Sequence, residues 1–190
     1  MVSSDEKKFN LDGPDGFNYY WHDIRQPERY STTRNFGGGS LMIWAAFNYH
    51  NRTPICKVSG RLNSQGYINL LENVLLDFLD EEPTCDSIFQ QDNAAIHVSQ
   101  ASRTWFQEKQ IPIMSWPARS PDLNPIENMW GNLARQVYAG GRKFQSVEEL
   151  RKTVSQEWAK IPQAEFQNMI NSMPNRIFEV IQKSGGWTHY

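Results

Sequence analysis

Three acidic residues stand where local structure gives no reason for them. Asp5 ends a short strand-like segment, Asp92 ends the strand-like run 87–91, and Glu127 lies in the first turn of a helix after a proline-rich turn. In α/β sheets, strand ends are where sites form. Carboxylates delivered from two strand ends and a nearby helix repel one another unless they are protonated or bridged by cations. A ligand set made of oxygen alone selects Mg²⁺ or Mn²⁺. Two such ions, about 3.5–4 Å apart, clamp the attacking and leaving oxygens of an in-line phosphoryl displacement. That chemistry needs no covalent nucleophile and no histidine base. A plainer reading of Glu127 stands beside it, since a first-turn acid complements the helix dipole. Asp122 is a rival third acid, but in a Ser-Pro-Asp turn it is expected to bond its own backbone.

The elements that must carry these acids are legible in outline. In the helix bearing Glu127, Asn124 is the expected N-cap and Pro125 the first residue. Ile126, Met129, Trp130, Leu133 and Val137 make its buried stripe, and Gly140-Gly141 stops it. Gly131 and Ala134, one and two turns beyond Glu127, leave that face without bulk. Upstream, 9–21 reads as a hairpin, and 23–39 as a mobile basic loop ending in Gly37-Gly38-Gly39. No Gly-Lys-Ser/Thr follows those glycines, so a phosphate loop is not indicated. The apolar run 41–47 suits a strand buried on both faces, with 54–58 as its hairpin partner. Helical spacing covers 67–79, with Ser64 as N-cap, and then 99–110; 111–116 reads as strand. Two further helices cover 147–161 and 163–183, the second ended or kinked at Pro174. This order predicts an α/β fold with a mixed five-stranded sheet flanked by helices, in an RNase H-like layout with C-terminal helices. On pattern alone a doubly wound sheet is a rival.

Composition narrows the class. The 190 residues are 39% hydrophobic and 21% charged, enough for a core and against wholesale disorder. The formal net charge of −2 excludes an overtly basic binder. The average hides a split, because residues 61–97 carry one basic and seven acidic groups. A nucleic-acid surface could use the two ends while the acidic middle faces away. Two cysteines, Cys56 and Cys85, without any CxxC, argue against a disulfide scaffold and a structural zinc site. No apolar run approaches membrane-spanning length, so no membrane partner is expected. Cytosol or nucleus is the expected compartment.

The residues around the acids carry a resemblance. Ser4-Asp5-Glu6-Lys7-Lys8-Phe9-Asn10-Leu11, Asn35-Phe36-Gly37-Gly38-Gly39 and Gln90-Gln91-Asp92-Asn93-Ala94 with His97 are similar to stretches of Tc/mariner transposases. So is the run from Trp116 through Ser120-Pro121-Asp122-Leu123-Asn124-Pro125-Ile126-Glu127-Asn128 to Trp130-Gly131. The 34 residues between Asp92 and Glu127 match the Asp-Asp-Glu spacing of the Tc branch, and the chain looks most like the Tc-three type. The resemblance implies an RNase H-like catalytic core holding two Mg²⁺ or Mn²⁺ ions on Asp5, Asp92 and Glu127, with Asp5 bridging both. It implies hydrolysis at the ends of a transposable element, then attack of the freed 3′-hydroxyl on target DNA at a TA dinucleotide. Double-stranded DNA is the implied partner, the nucleus the implied compartment, and a homodimer the implied full-length form. It also implies that residues 1–190 are the catalytic domain, with strand one truncated and the helix-turn-helix modules of the family absent from it. Ser3 departs from the family's apolar residue, and Ala45 and Ala46 follow Trp44 where a glycine is usual.

Further candidates are weighed on residue type. Arg25, Arg29, Arg34, Arg119 and Arg135 could line a DNA path, or could be solvated surface arginines. His97 could contact DNA or make a local polar bond near Asp92. Two functions compete: a metal-dependent transposase core, and a transposon-derived remnant that binds DNA without cutting it. The intact acid triad favours the first.

Overall fold

In the computed structural model, residues 1–14, 25, 39–80, 87–117 and 120–190 are described. The first strand, β1, runs Val2–Asn10 and is followed by β2 (Ser40–Phe47) and β3 (Cys56–Val58). Helix α1 (Ser64–Leu70) continues through a π turn, Leu71–Leu75, into α2 (Leu76–Asp80). Then come β4 (Phe89–Gln90) and α3 (Gln100–Glu108). A 3₁₀ turn at Pro121–Leu123 leads into α4 (Pro125–Val137), and α5 (Val147–Lys160), α6 (Gln163–Asn171) and α7 (Met173–Gln182) complete the chain.

The sheet order is β3-β2-β1-β4. The first three strands are antiparallel and β4 joins β1 in parallel, so the sheet is mixed and the doubly wound alternative falls. Four strands, not five, are formed among the described residues. The segment 111–116 pairs with β4 through one parallel bridge, Phe89 to Ile113. The Phe89 amide donates to Pro112 O and the Met114 amide to Phe89 O, both at 2.8 Å. Pro112 has no N–H to extend the ladder, and a two-residue β4 offers little more to pair with.

Side-chain alternation in β1 and β2 builds two cores. On one face Phe9, Ile43, Ala45 and Phe47 pack against Met129, Trp130 and Leu133 of α4, Val154 and Trp158 of α5 and Phe166 of α6. On the other, Val2, Trp44 and Ala46 pack against Tyr67, Leu71 and Leu75 and against Phe106 of α3. Each large side chain so buried contributes about 1.5–3 kcal/mol. The sheet is therefore sandwiched between helical layers, and the two-face burial of 41–47 follows directly.

Several local expectations need correction. Asp5 does not end β1. The strand runs five residues further through Glu6-Lys7-Lys8-Phe9-Asn10, because β2 pairs with it from Ser3 to Asn10. The N-cap of α1 is Asn63, whose side chain accepts from the Gly66 amide at 2.8 Å; Ser64 is the first helical residue. The break expected at Pro174 is present and falls just before it: α6 stops at Asn171, and Pro174 lies in the first turn of α7, where its missing N–H costs nothing. Most of the 9–21 hairpin and the 23–39 loop lie outside the described residues, as does Cys85. The cap and stripe of α4 are as expected: Asn124 caps, Pro125 leads, and Ile126, Met129, Trp130, Leu133 and Val137 are fully buried. Ser3, buried where an apolar residue was expected, donates to Gln90 Oε1 at 2.9 Å and is satisfied there.

Candidate active site

The register between β1 and β4 decides where the acids meet. Val2 pairs with Phe89 and Ser3 with Gln90. Continued two residues, that register sets Asp5 level with Asp92, at the point where the two parallel strands part. Opposite Asp5 on β2 stands Ala45, a small residue. The third acid is brought in by α4. Asn124 caps that helix and donates through Nδ2 to the Ser4 carbonyl at 3.1 Å, so the helix start is tied to β1 one residue before Asp5. Gln90 adds a second tie, its Nε2 donating to Leu123 O at 3.3 Å.

The result is a cavity of about 390 Å³ lined by Asp5, Asp92 and Glu127 with Asn93, Trp116 and Asn124 among its walls. Its electrostatics are those of crowded negative charge. Burial, then the charges of Glu127 and Glu6, push the Asp5 carboxyl up to about 8, against hydrogen bonds from the Glu6 amide and Trp130. The Trp130 indole N–H donates to Asp5 Oδ2 at 3.1 Å. Burial also raises Glu127; Lys7 opposes that shift and Asp92 adds to it. Asp92 is drawn below the usual carboxylate range, chiefly by its hydrogen bond with His97.

Two features of the cavity would suit a divalent cation. Its acidic donors are oxygens only, the set that hard cations prefer. Burial and the neighbouring charges of Glu127 and Glu6 raise Asp5, and a bound cation would oppose that shift. The three carboxylates share the cavity without being drawn to one point. Among the described residues no three His, Cys, Asp or Glu side chains cluster tightly enough to grip an ion as they stand. Asp5 is turned to Trp130 and Asp92 to His97 and the Ala94 amide.

The remaining candidates divide. Asp122 is held elsewhere: its Oδ2 accepts from the Thr188 amide at 2.9 Å, in the C-terminal tail rather than in its own turn, and it does not line the cavity. His97 is 3% exposed, so its ring offers little surface to DNA. It stands behind Asp92, and burial would lower it, but its bonds to Asp92 and Glu6 and their charges carry it up to about 9. Arg135 lies two turns beyond Glu127 in a separate cleft with Glu157, Lys160 and Glu165. Arg25 is exposed in a turn and is not among the cavity's lining residues. Arg29, Arg34 and Arg119 lie outside the described residues. Sequence reasoning passed over Glu6, Tyr67 and Arg176. Glu6 was one charge in a charged run, and only strand alternation separates its face from that of Asp5.

A parallel strand pair opening onto carboxylates, with a capped helix supplying a third, matches a known family. The family model described as DDE superfamily endonuclease matches residues 1–151, and the chain belongs to that family, in its Tc/mariner branch. Among its relatives is the Tc3 transposase of Caenorhabditis elegans, 46% identical over 190 residues, which covers all of this chain and 58% of the relative. The Tc1 transposase of the same organism is 34% identical over 196 residues, covering all of this chain and 70% of that protein. The chain thus spans a little under three fifths of the length of the Tc3 transposase. In three dimensions it superposes on the Mos1 transposase paired-end complex with left transposon end, with a TM-score of 0.84 and 22% identity, over 98% of this chain and 55% of that one. It also superposes on the catalytic domain of Mos1 mariner transposase, at 0.76 and 19%, over 99% and 83%. These likenesses establish the RNase H-like fold.

Proposed function

We propose that residues 1–190 form the catalytic domain of a cut-and-paste DNA transposase, with Asp5, Asp92 and Glu127 as its metal-binding residues. The observation that carries this reading is the single cavity lined by all three acids, at the parting of two parallel strands and the start of α4. Asp5 and Asp92 come from neighbouring chain segments and Glu127 from the facing helix, so the three approach a phosphate from different sides. Bound Mg²⁺ or Mn²⁺, as two ions, would supply Lewis-acid stabilisation of the attacking and leaving oxygens of an in-line displacement. Structures of related Mos1 complexes are described as containing Mn or Mg, which supports the choice of metal. The residues of the chain do the holding. Trp130 and the Ser4–Asn124 tie fix Asp5 and Glu127 relative to each other, and Trp116 walls the cavity beside them.

The reaction is hydrolysis of a phosphodiester at each element end, followed by attack of the freed 3′-hydroxyl on target DNA at TA. Joining two ends to one target calls for two copies in the full-length protein, and the substrate places the work in the nucleus. Arg25, Arg29, Arg34, Arg119 and Arg135 remain proposed phosphate contacts. The test is cleavage of an oligonucleotide duplex carrying an element end, in Mn²⁺, by a full-length protein bearing this domain. Glu127→Gln is expected to abolish nicking, whereas Asp122→Asn retains most of it. Loss of cleavage in the Asp122 variant with retention in the Glu127 variant would exchange their roles.

A further inference from the structure

Asp92 reaches the cavity from irregular chain. β4 ends at Gln90, and the Asp92 side chain is 54% exposed. No strand ladder or helix packing fixes its rotamer. Nevertheless both hydrogen bonds it makes among the described residues fall on one oxygen. Oδ1 accepts from the Ala94 amide at 2.9 Å and meets His97 Nδ1 at 2.6 Å. His97 is itself anchored on every side. Its ring lies 4.4 Å from that of Tyr67, which is fully buried. Its Nε2 meets Glu6 Oε1 at 3.3 Å, and its amide donates to Ala94 O. Tyr67 Oη donates to Gln91 Oε1 at 2.6 Å, and Gln91 Nε2 donates to the His97 carbonyl at 3.4 Å. A buried imidazole therefore spans two carboxylates, one on β1 and one beyond β4.

The geometry points to Glu6 and His97 as positioning residues that hold Oδ1 of Asp92 and leave its other oxygen to face a divalent cation. This rests on reading Asp92 as a metal ligand. An exposed aspartate free to rotate would lose rotamer freedom on binding an ion; here that loss is incurred on folding. Glu6 fixes the imidazole's orientation from the far side, so the two act in series. Hydrogen-bonded partners of this kind commonly change metal affinity 10–100-fold when removed.

The test is Mn²⁺ affinity, measured on the chain by electron paramagnetic resonance of free Mn²⁺, with the fold checked by circular dichroism. His97→Phe keeps the ring and its contact with Tyr67 but removes both nitrogens. His97→Asn keeps a donor near the Nδ1 position. Asp92→Asn should weaken Mn²⁺ binding more than tenfold, His97→Phe by about 10–100-fold, and His97→Asn should recover most of that loss. If Asp92→Asn leaves Mn²⁺ binding unchanged, the metal-site reading fails and this inference goes with it. If Asp92→Asn weakens binding while His97→Phe binds as tightly as wild type, the inference alone fails. Should His97→Phe not fold, Glu6→Gln decides the matter. A loss of affinity in the wild-type background that vanishes beside Asp92→Asn supports action through His97, whereas an equal loss in both backgrounds means Glu6 acts by its charge alone and overturns it.

Discussion

Asp5 carries the clearest pH signature of any single residue. Its folded-state pKa, about 8, lies above the ordinary carboxyl value of 3.8. Between those values the native state holds a proton that the unfolded chain has released, so this contribution to stability is present below about pH 4 and is lost as pH rises through 8. His97, raised to about 9 from 6.5, acts in the same direction at higher pH. Asp92, lowered, works against acid and matters only below the carboxyl range. The metal-free melting temperature should therefore fall from pH 5 to pH 8.5 in EDTA. Asp5→Asn should flatten that slope and raise the value at pH 8.5, since the Trp130 indole can still donate to the amide oxygen. Millimolar Mn²⁺ should raise the wild-type value most at the alkaline end. Parallel pH slopes for wild type and variant would show that Asp5 is not the group responsible. Sequence reading singled out Asp5, Asp92 and Glu127 by motif and spacing, and the three line one cavity. It left His97 between a DNA contact and a local bond, because burial depends on Tyr67 and Glu6, far away in the chain.

At the scale of elements, α4 was legible almost to the residue and β1 was not. Asn124-Pro125, an apolar stripe and a closing glycine pair are all local signals, and they agreed with the tertiary packing. β1 holds Asp5-Glu6-Lys7-Lys8, a charged run without apolar alternation, and only pairing with distant β2 extends it. The fifth strand failed for the same reason: its partner is too short to sustain a ladder. Two predictions belong here. Asn124→Ala removes both the cap of α4 and its tie to the Ser4 carbonyl; a lost cap costs about 1 kcal/mol, and the unpaired buried carbonyl adds about 1–3 kcal/mol. Denaturant unfolding should register this as a lower midpoint, with cleavage impaired more than stability implies. Gly131→Ala should stabilise the domain by up to about 1 kcal/mol, since an added Cβ meets only Arg135 Nη1, at 3.9 Å. A stabilised Gly131→Ala protein with undiminished nicking would show that DNA needs no close approach on that face.

At the scale of the whole molecule, the last helix ties back to the turn that precedes α4. Arg176, fully buried on α7, donates through Nη1 to Asp122 O and to Asn128 Oδ1, each at 2.7 Å, and its Nε donates to Ser172 Oγ. The Tyr190 ring lies 4.7 Å from its guanidinium. The turn that leads into Asn124 and Glu127 is thus clasped from behind by the C-terminal segment. Arg176→Leu should lower stability by at least the roughly 1.5–3 kcal/mol of a hydrogen bond to a charged group. Urea unfolding measures that loss, and a change below about 0.5 kcal/mol would show the clasp to be idle. Charge makes a further whole-molecule prediction. At a net −2, the domain should hold duplex DNA through scattered phosphate contacts, weakly and with steep salt dependence. Competition between an element end and scrambled duplex should show less than about tenfold preference, or roughly 1.4 kcal/mol.

The clasp has a genetic consequence. The family match stops at residue 151, and Arg176, Thr188 and Tyr190 lie beyond it. A stop codon from 172 to 175, after α6, would leave all three acids and the matched region encoded, yet remove the arginine that clasps the turn before Glu127. A gene can thus keep every acid codon and still encode a chain whose turn before Glu127 has lost the arginine that holds it.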